Sequence, residues 1–467
     1  MLDFSKRKEI KDIRSNLYIL GYDIYYMRTS GMYNYYFNPW QTYEVILQKL
    51  PKCPKTGQLL IKLLLLGDEL NEKEAAQYLG EKFITALVNV GFLNKDNGSI
   101  QSNGYSIVAY RDRYFVTSIP YDYPNCTGTQ DVYIGWDSYK LTDILPYRRI
   151  NERLDLCSGS GIQCIMNAEY AKECIVVEKN EKVIPVLKFN TVLNDLEDKI
   201  KVVQSDLYQQ VEPKKFDLIT ANPPFIPVPD EFDFPIAGAG GEDGLKIVLR
   251  ILEEADNRLN PQGEIIIIGE AIGGDEGTLL YRKVCKMFST GYSGEIFLQN
   301  KCSKSEYINR LAEFYVQKLS KDKQSNYQQI VERWNAGFEK YNADYVYSFM
   351  LRIRRTGEQI SCIKEIFNYD EPIQIQKPKV IGNYDYMPLE QSYYLMANGK
   401  IIATLNNQLK ACLELCDGTK NIDEIMDCAN IPDTSRKPVE NTFKAVCNEL
   451  IKNNIMIDFR RNENEKN

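Results

Sequence analysis

Histidine is absent from all 467 residues. That absence removes Ser-His-Asp and Cys-His catalysis, and every His-ligated metal site, from consideration. An enzyme built from this chain has to work by positioning, with carboxylates, amides and phenols. The twelve cysteines include no CxxC pair, a scatter that fits reduced thiols in a cytosol better than a disulfide framework or a zinc site. No stretch approaches 18 consecutive apolar residues, and the N-terminal MLDFSKRKEIKDIR lacks the apolar core of a secretory signal. A soluble, cytoplasmic protein without a membrane or metal partner is expected. Positive charge is also in deficit, with a net charge of -7 and a pI of about 5.2. Nucleic-acid enzymes usually present a basic face, so this balance weighs against such a partner.

What is present is the inventory of a globular chain. At 44% hydrophobic and 11% aromatic residues it can bury a sizeable core, and its length suits roughly two to four domains. Residues 1–110 combine an aromatic-rich segment, YDIYYMRTSGMYNYYFNPW, with LLIKLLLLGDELNEKEAAQYLGEKFITALVNVGFL. Helical spacing broken at Gly67 and Gly91, followed by a strand pair in SIQSNGYSIVAY, reads as a winged helix. Its second helix region, EKFITALVNVGF, carries one lysine, which favours packing or substrate gripping over DNA binding. The aromatic stretch reads as packing rather than a stacking platform.

Residues 111–360 alternate apolar runs (LDLC, CIVVE, KVVQSD, FDLITA, EIIIIGE) with helical segments, the pattern of a doubly wound parallel sheet. GEIFLQN and YVYSFMLRIRR add two strands, separated by a mainly helical insert near 301–344. A linker over 361–380 and a small domain over 381–467 complete the expected organisation.

Chemistry is carried at the carboxyl ends of four successive strands, the edge where open α/β sheets bind ligands. The first ends in DLCSGSG, in which Asp155, Gly159 and Gly161 make a D-x-x-x-G-x-G turn that lets backbone approach a ligand. The second ends at Glu178, placed either to hold ribose hydroxyls or merely to cap a strand in solvent. The third ends at Ser205-Asp206-Leu207, where Asp206 can accept from an adenine amino group. The fourth ends in Asn222-Pro223-Pro224-Phe225. Two prolines fix the backbone, so this corner is either a stiff turn or a holder for something flat.

These residues resemble the class I S-adenosylmethionine-dependent methyltransferases of the N-P-P-[FY] branch, over roughly residues 131–360. GGEDGLKIVLRIL and the upstream DVYIGWDSYKL look most like the release-factor glutamine N5-methylating subgroup. The resemblance implies a seven-stranded Rossmann-like sheet and S-adenosylmethionine as cofactor. It implies cofactor contacts from Asp155, Cys157, Ser158, Gly159, Gly161, Glu178, Asp206, Leu207 and Asn222. It also implies catalysis by Asn222 and the Pro223 carbonyl, which orient an acceptor –NH₂, with Phe225 as a face for the planar group. No strong base is needed, because the methyl donor is already activated. The corner here is NPPF where glutamine methylators usually carry NPPY, and Cys157 stands where relatives often have glycine or threonine.

Near the C-terminus, QSYYLMANGKIIATLNNQLKACLELCDGTKNIDEIMDCAN resembles the PqqD-like winged-helix family. That resemblance implies recognition of a leader peptide as an added strand; dimerisation or packing is the alternative. The function expected is N-methylation of a peptide or protein, with a precursor peptide held by the C-terminal domain as the finer reading. The alternatives are methylation of an RNA or DNA base, or of oxygen or nitrogen in a small molecule.

Overall fold

Ile10, Ile13 and Leu17 recur at helical spacing and are the buried side of α1 (Arg7–Ile19). The computed structural model describes residues 2–30, 43–126, 131–146, 148–319, 327–367, 377–388, 393–397, 400–432 and 455–458, with parts of 436–450. The tyrosine-rich residues 31–40 therefore lie outside the described residues. α2 (Tyr22–Ser30), α3 (Tyr43–Lys49) and α4 (Lys55–Ile61) follow, the last running through a π-type turn to Gly67. Tyr22 and Tyr26 are fully buried, and the Tyr22 hydroxyl donates to the Ile107 carbonyl (2.6 Å), as packing requires.

β1 (Leu70–Asn71), α5 (Glu72–Leu79), α6 (Glu81–Asn89), β2 (Leu93–Asp96) and β3 (Ser99–Ser102) come next. They build an antiparallel sheet in the order β1-β3-β2. The expected strand pair within SIQSNGYSIVAY is not formed. β3 turns back on β2 through Asn97 and Gly98, both at positive φ, the requirement of a tight hairpin. β4 (Tyr105–Tyr110) pairs instead with β5 (Arg113–Ser118).

The central sheet is assembled from β6 (Ile150–Leu156), β7 (Ala171–Glu178), β8 (Ile200–Gln204), β9 (Phe216–Ala221), β10 (Leu259–Gly274), β11 (Gly277–Thr278), β12 (Tyr292–Ser303), β13 (Tyr345–Arg355) and β14 (Cys362–Phe367). Its order is β14-β12-β13-β10-β9-β6-β7-β8, with β11 folded back on β10. β6 to β10 are mutually parallel and β13 is antiparallel to both β10 and β12. Val, Ile and Leu fill these strands because both faces are covered. α7 (Trp136–Ile144) precedes β6, and α8 (Ile162–Met166), α9 (Ile184–Leu193), α10 (Lys246–Glu253), α11 (Ala255–Arg258) and α12 (Leu279–Met287) are the crossovers. α13 (Lys304–Phe314) and α14 (Tyr327–Lys340) make up the helical insert.

Three expectations need correction. The sheet has nine strands rather than seven, because β14 adds in parallel to β12 and β11 forms a short return. β14 also shortens the expected 361–380 linker, since residues 362–367 are sheet and Pro378–Val380 pairs within the second unit. Finally, the boundary at 110 falls in the β4–β5 turn, and residues 1–368 are one unit with 369–467 as the other. The reason is on α9. Asn190 accepts from Val116 N (2.7 Å) and donates to Val116 O (3.1 Å), and Asn194 does the same at Tyr114 (3.3 and 2.8 Å). Two fully buried amides one helical turn apart thus satisfy the free edge of β5 as a neighbouring strand would.

In the second unit β15 (Pro378–Val380) pairs with β19 (Met456–Asp458). β16 (Asp385–Pro388), β17 (Tyr393–Ala397) and β18 (Lys400–Leu405) form an antiparallel meander, followed by α15 (Asn407–Glu414) and α16 (Ile422–Cys428). This unit begins before residue 381. Cys412 and Cys416 are buried in its core. Among the described residues no helix is long and apolar enough to cross a membrane.

Candidate active site

The carboxyl ends of β6, β7, β8 and β9 open on one cleft of about 390 Å³, within the size range of small-molecule sites. Its wall includes Cys157, Ser158, Gly159, Glu178, Asp206, Leu207 and Asn222. Seven of the residues expected from sequence therefore meet. Gly161, Asp155, Pro223 and Phe225 stand behind that wall.

The β6 turn is built on positive φ at Cys157 (56°), Gly159 (51°) and Gly161 (81°). A Cβ on Gly161 would lie 2.6 Å from Leu187 Cδ1, so this glycine lets α8 pack against α9. A Cβ on Gly159 would meet nothing within 4 Å, so this residue keeps the cleft open. Cys157 holds a backbone conformation that favours glycine, and burial pushes its thiol well above the usual range, as suits a packed, unreactive sulfur. Beneath the turn, Asp155 is buried. Its Oδ1 accepts from Thr220 Oγ1 (2.5 Å), Oδ2 has no partner, and burial raises its pKa to about 6.

Glu178 ties the first two strand ends together. Its Oε2 accepts from Gly159 N (3.0 Å) and its Oε1 from Lys179 N and Asn180 N (2.8 Å each), while burial raises its pKa. A carboxylate has further lone pairs, so it can still accept from a ligand hydroxyl. Asp206 is engaged by Lys179 (3.0 Å) and Arg250 (3.1 Å). Burial opposes its ionisation, but these two cations prevail and hold it below the usual carboxylate range. The adenine-accepting role expected of Asp206 is therefore shared with two ion pairs.

At the other end of the cleft, Asn222 Nδ2 donates to Asp137 Oδ2 (2.8 Å), and Tyr133 is also hydrogen-bonded to Asp137. The Asp137 charge, with burial, holds the Tyr133 phenol far above its usual range. Because Asp137 accepts from Nδ2, Asn222 Oδ1 is directed elsewhere, and it is buried with no partner. Asp137 was not singled out from sequence, although it lies within DVYIGWDSYKL. Pairing of a residue on α7 with one after β9 is a tertiary fact.

Pro224, not Pro223 or Phe225, forms the wall beside Asn222. The physical reason lies in residues 226–244, which strap across the corner. Ile226 exchanges backbone hydrogen bonds with Gly238 and Gly240 (2.8 Å each), and Val228 N donates to Gly241 O (2.9 Å). A Cβ on Gly240 or Gly244 would fall 2.8 Å or less from Phe225 backbone, so the glycines of GGEDG permit this contact. Phe225 is thereby held against Gly269 rather than facing the cleft. The insert in turn grips the strap. Trp334 Nε1 donates to Pro227 O (2.8 Å), its ring lies 4.7 Å from that of Phe232, and Arg333 pairs with Glu231 and Glu242.

Comparison with known proteins agrees with this geometry. Residues 137–284 match the methyltransferase small domain family. A ribosomal protein uL3 glutamine methyltransferase of Francisella tularensis is 33% identical over 125 residues, covering 24% of this chain and 40% of that protein. A release factor glutamine methyltransferase of Clostridium acetobutylicum is 33% identical over 149 residues, covering 28% of this chain and 51% of that protein. The chain thus spans about two-fifths to a half of the length of the curated relatives it matches. A solved ribosomal protein L11 methylase from Lactobacillus delbrueckii aligns at 20% identity with a TM-score of 0.24, covering 32% of this chain and 63% of that one. The cofactor of this family is S-adenosylmethionine, and an open glycine turn beside a buried carboxylate suits it. Strand order, the turn at the cleft and the family match agree: residues 137–284 are similar to the methyltransferase small domain and carry a class I architecture.

Proposed function

We infer that this chain transfers a methyl group from S-adenosylmethionine to a nitrogen of a protein or peptide, with a side-chain amide as the acceptor. The observation that carries the reading is Asn222 Oδ1, a buried acceptor without a partner on the wall of the cleft. Such an atom is costly unless a ligand donates to it. S-adenosylmethionine supplies a methyl group already activated on a sulfonium sulfur. Asn222 Oδ1 accepts one N–H of the acceptor –NH₂, the Pro223 carbonyl accepts the other, and the nitrogen lone pair is left to point at the methyl carbon. Asp137 holds the Asn222 amide in the required orientation. Cys157, Ser158, Gly159 and Leu207 bed the cofactor on a turn that Gly161 and Asp155 organise from behind, Glu178 takes ribose hydroxyls, and Asp206 takes the adenine amino group. Phe225 acts through the backbone of the corner. The amide acceptor is supported by the named relatives, whose substrates are glutamines in ribosomal protein uL3 and release factors.

The helix–strand–helix–helix–hairpin order of residues 55–102 supports the winged-helix reading of that segment. In the second unit, a meander followed by helices supports a PqqD-like peptide reader, whose sheet edge would add an extended leader peptide. The test is transfer from methyl-labelled S-adenosylmethionine to host lysate, fractionated into peptide, protein and RNA, with wild type beside Asn222→Ala. Expected is label in protein or peptide that the variant abolishes and that acid hydrolysis releases as methylamine, the product of an N-methylated amide. Label in RNA, or label released by mild base as methanol from an ester, overturns the reading.

A further inference from the structure

Outside the cleft, the outer strands of the central sheet carry a second concavity. It is a groove of about 310 Å³ lined by Ser293, Glu295, Arg352, Arg354, Cys362 and Lys364 among others. Strand register explains why these side chains meet. Ser293 lies opposite both Arg354 and Cys362, and Glu295 opposite both Arg352 and Lys364. Residues directly opposite one another share a sheet face, so RIRR places Arg352 and Arg354 on the same side as Lys364.

The charge in this groove is not balanced. Arg352, Arg354 and Arg148 all converge on one fully buried carboxylate, Glu264, at 2.7, 3.5 and 2.8 Å. Burial works against ionisation of Glu264, but Arg352 and Arg148 hold it below the usual carboxylate range. Among the described residues Glu264 is the one carboxylate within ion-pair distance of the three arginines, and Lys364 has no ion pair at all. Counting Glu295, four cations face two carboxylates. Each guanidinium carries five N–H donors in a rigid fork, and one carboxylate cannot occupy three such forks. In a chain of net charge -7, folding has concentrated positive charge from residues 352, 354 and 364 onto one open face.

We propose that this groove is an anion site that takes consecutive phosphate groups, one against the Arg352–Arg354 pair and the next toward Lys364. Spacing selects a chain of phosphates over a single ion. Alternate residues on a strand stand about 7 Å apart, and β14 lies two strands, about 10 Å, from β13. Planar guanidinium forks suit bidentate phosphate contact, with the lysine as a point charge at the far end. Ser293 supplies a hydroxyl between them. The site is independent of the methyl-transfer reading, since none of its residues lines the catalytic cleft.

The source is either a free polyphosphate or the backbone of a single-stranded nucleic acid, and the test separates them. Full-length protein is titrated with inorganic tripolyphosphate and, separately, with a short oligouridylate at about 50 mM salt. Lys364→Glu and Glu295→Gln are run beside wild type, because both positions are exposed and neither touches Glu264. Expected is binding weakened roughly tenfold by Lys364→Glu, strengthened severalfold by Glu295→Gln, and reduced by added salt. That pattern with tripolyphosphate alone assigns a free polyphosphate, and with the oligonucleotide a nucleic-acid strand. Affinity that is the same in both variants would place the anion elsewhere, for example at Lys179 and Arg250, and overturns the proposal. So does an absence of binding by either probe.

Discussion

Replacing Asn222 with alanine removes two interactions of opposite sign. The Nδ2 bond to the Asp137 carboxylate is charge-assisted (2.8 Å), and losing it costs about 1.5–3 kcal/mol. Oδ1 is buried without a partner, a state that costs about 1–3 kcal/mol and that alanine abolishes. The two effects offset, leaving a net change within roughly 1 kcal/mol, so the melting temperature should move by about 3 °C or less. Methyl transfer has no such compensation. Loss of one pre-organised polar group at a reacting centre lowers rates on the order of 10²–10³-fold. Chemical denaturation followed by circular dichroism, beside initial rates on the labelled protein fraction, measures both quantities. A stability loss of about 3 kcal/mol or more would make Asn222 a structural residue. Activity retained within about tenfold would remove it from the orienting role. Either result refutes the reasoning.

The two glycines of the β6 turn should separate by assay. Gly161→Ala combines left-handed strain, about 1–2 kcal/mol, with a clash on Leu187, and should show chiefly as lost thermal stability. Gly159→Ala carries only the strain but adds a methyl to an open cleft wall, and calorimetry should show weakened cofactor binding. Trp334→Phe deletes the indole bond to Pro227 O, and hydrogen exchange over residues 226–244 should rise while that of β6 and β7 stays unchanged. Asp155 has its folded pKa raised by burial, from an ordinary 3.8 to about 6. Its protonated form is therefore favoured in the folded state, and the associated stability is present below about pH 4 and lost as pH rises through 6. On that arithmetic ionised Asp155 costs about 3 kcal/mol at pH 8. Asp155→Asn should be relatively more stable at pH 8 than at pH 4. A stability difference between the two proteins that is flat across this range would show that Asp155 titrates near its ordinary value.

Much of the site was legible because motif order maps onto strand order in a doubly wound sheet. DLCSGSG, Glu178, Asp206 and NPPF each end a strand, and parallel strands deliver their carboxyl ends to one edge. The hairpin at Asn97-Gly98 is equally encoded in the chain, since Asn-Gly is a strong turn signal, although the longer apolar run that follows competes with it as a pairing partner. Asp137, the strap over Phe225 and the grip of Trp334 on Pro227 were not legible. Asp137 and Trp334 meet their partners across 85 and 107 residues of chain, and the strap closes on Phe225 through backbone contacts at Gly240 and Gly244, none of which a local pattern encodes.

By itself, then, the sequence determined the alternation of strands and helices, the turn glycines, the stiff corner and the exclusion of imidazole chemistry, all of which follow from local periodicity and residue type. Tertiary structure decided what those parts do. It tied α9 to the edge of β5 through Asn190 and Asn194, so that residues 1–110 are not a separate domain. It turned Phe225 from the cleft because Gly240 and Gly244 allow backbone to pack on backbone. It set Asp137 on the Asn222 amide and gathered three arginines around Glu264. Those outcomes rest on contacts between distant segments, whose free energies are decided only when the chain has closed upon itself.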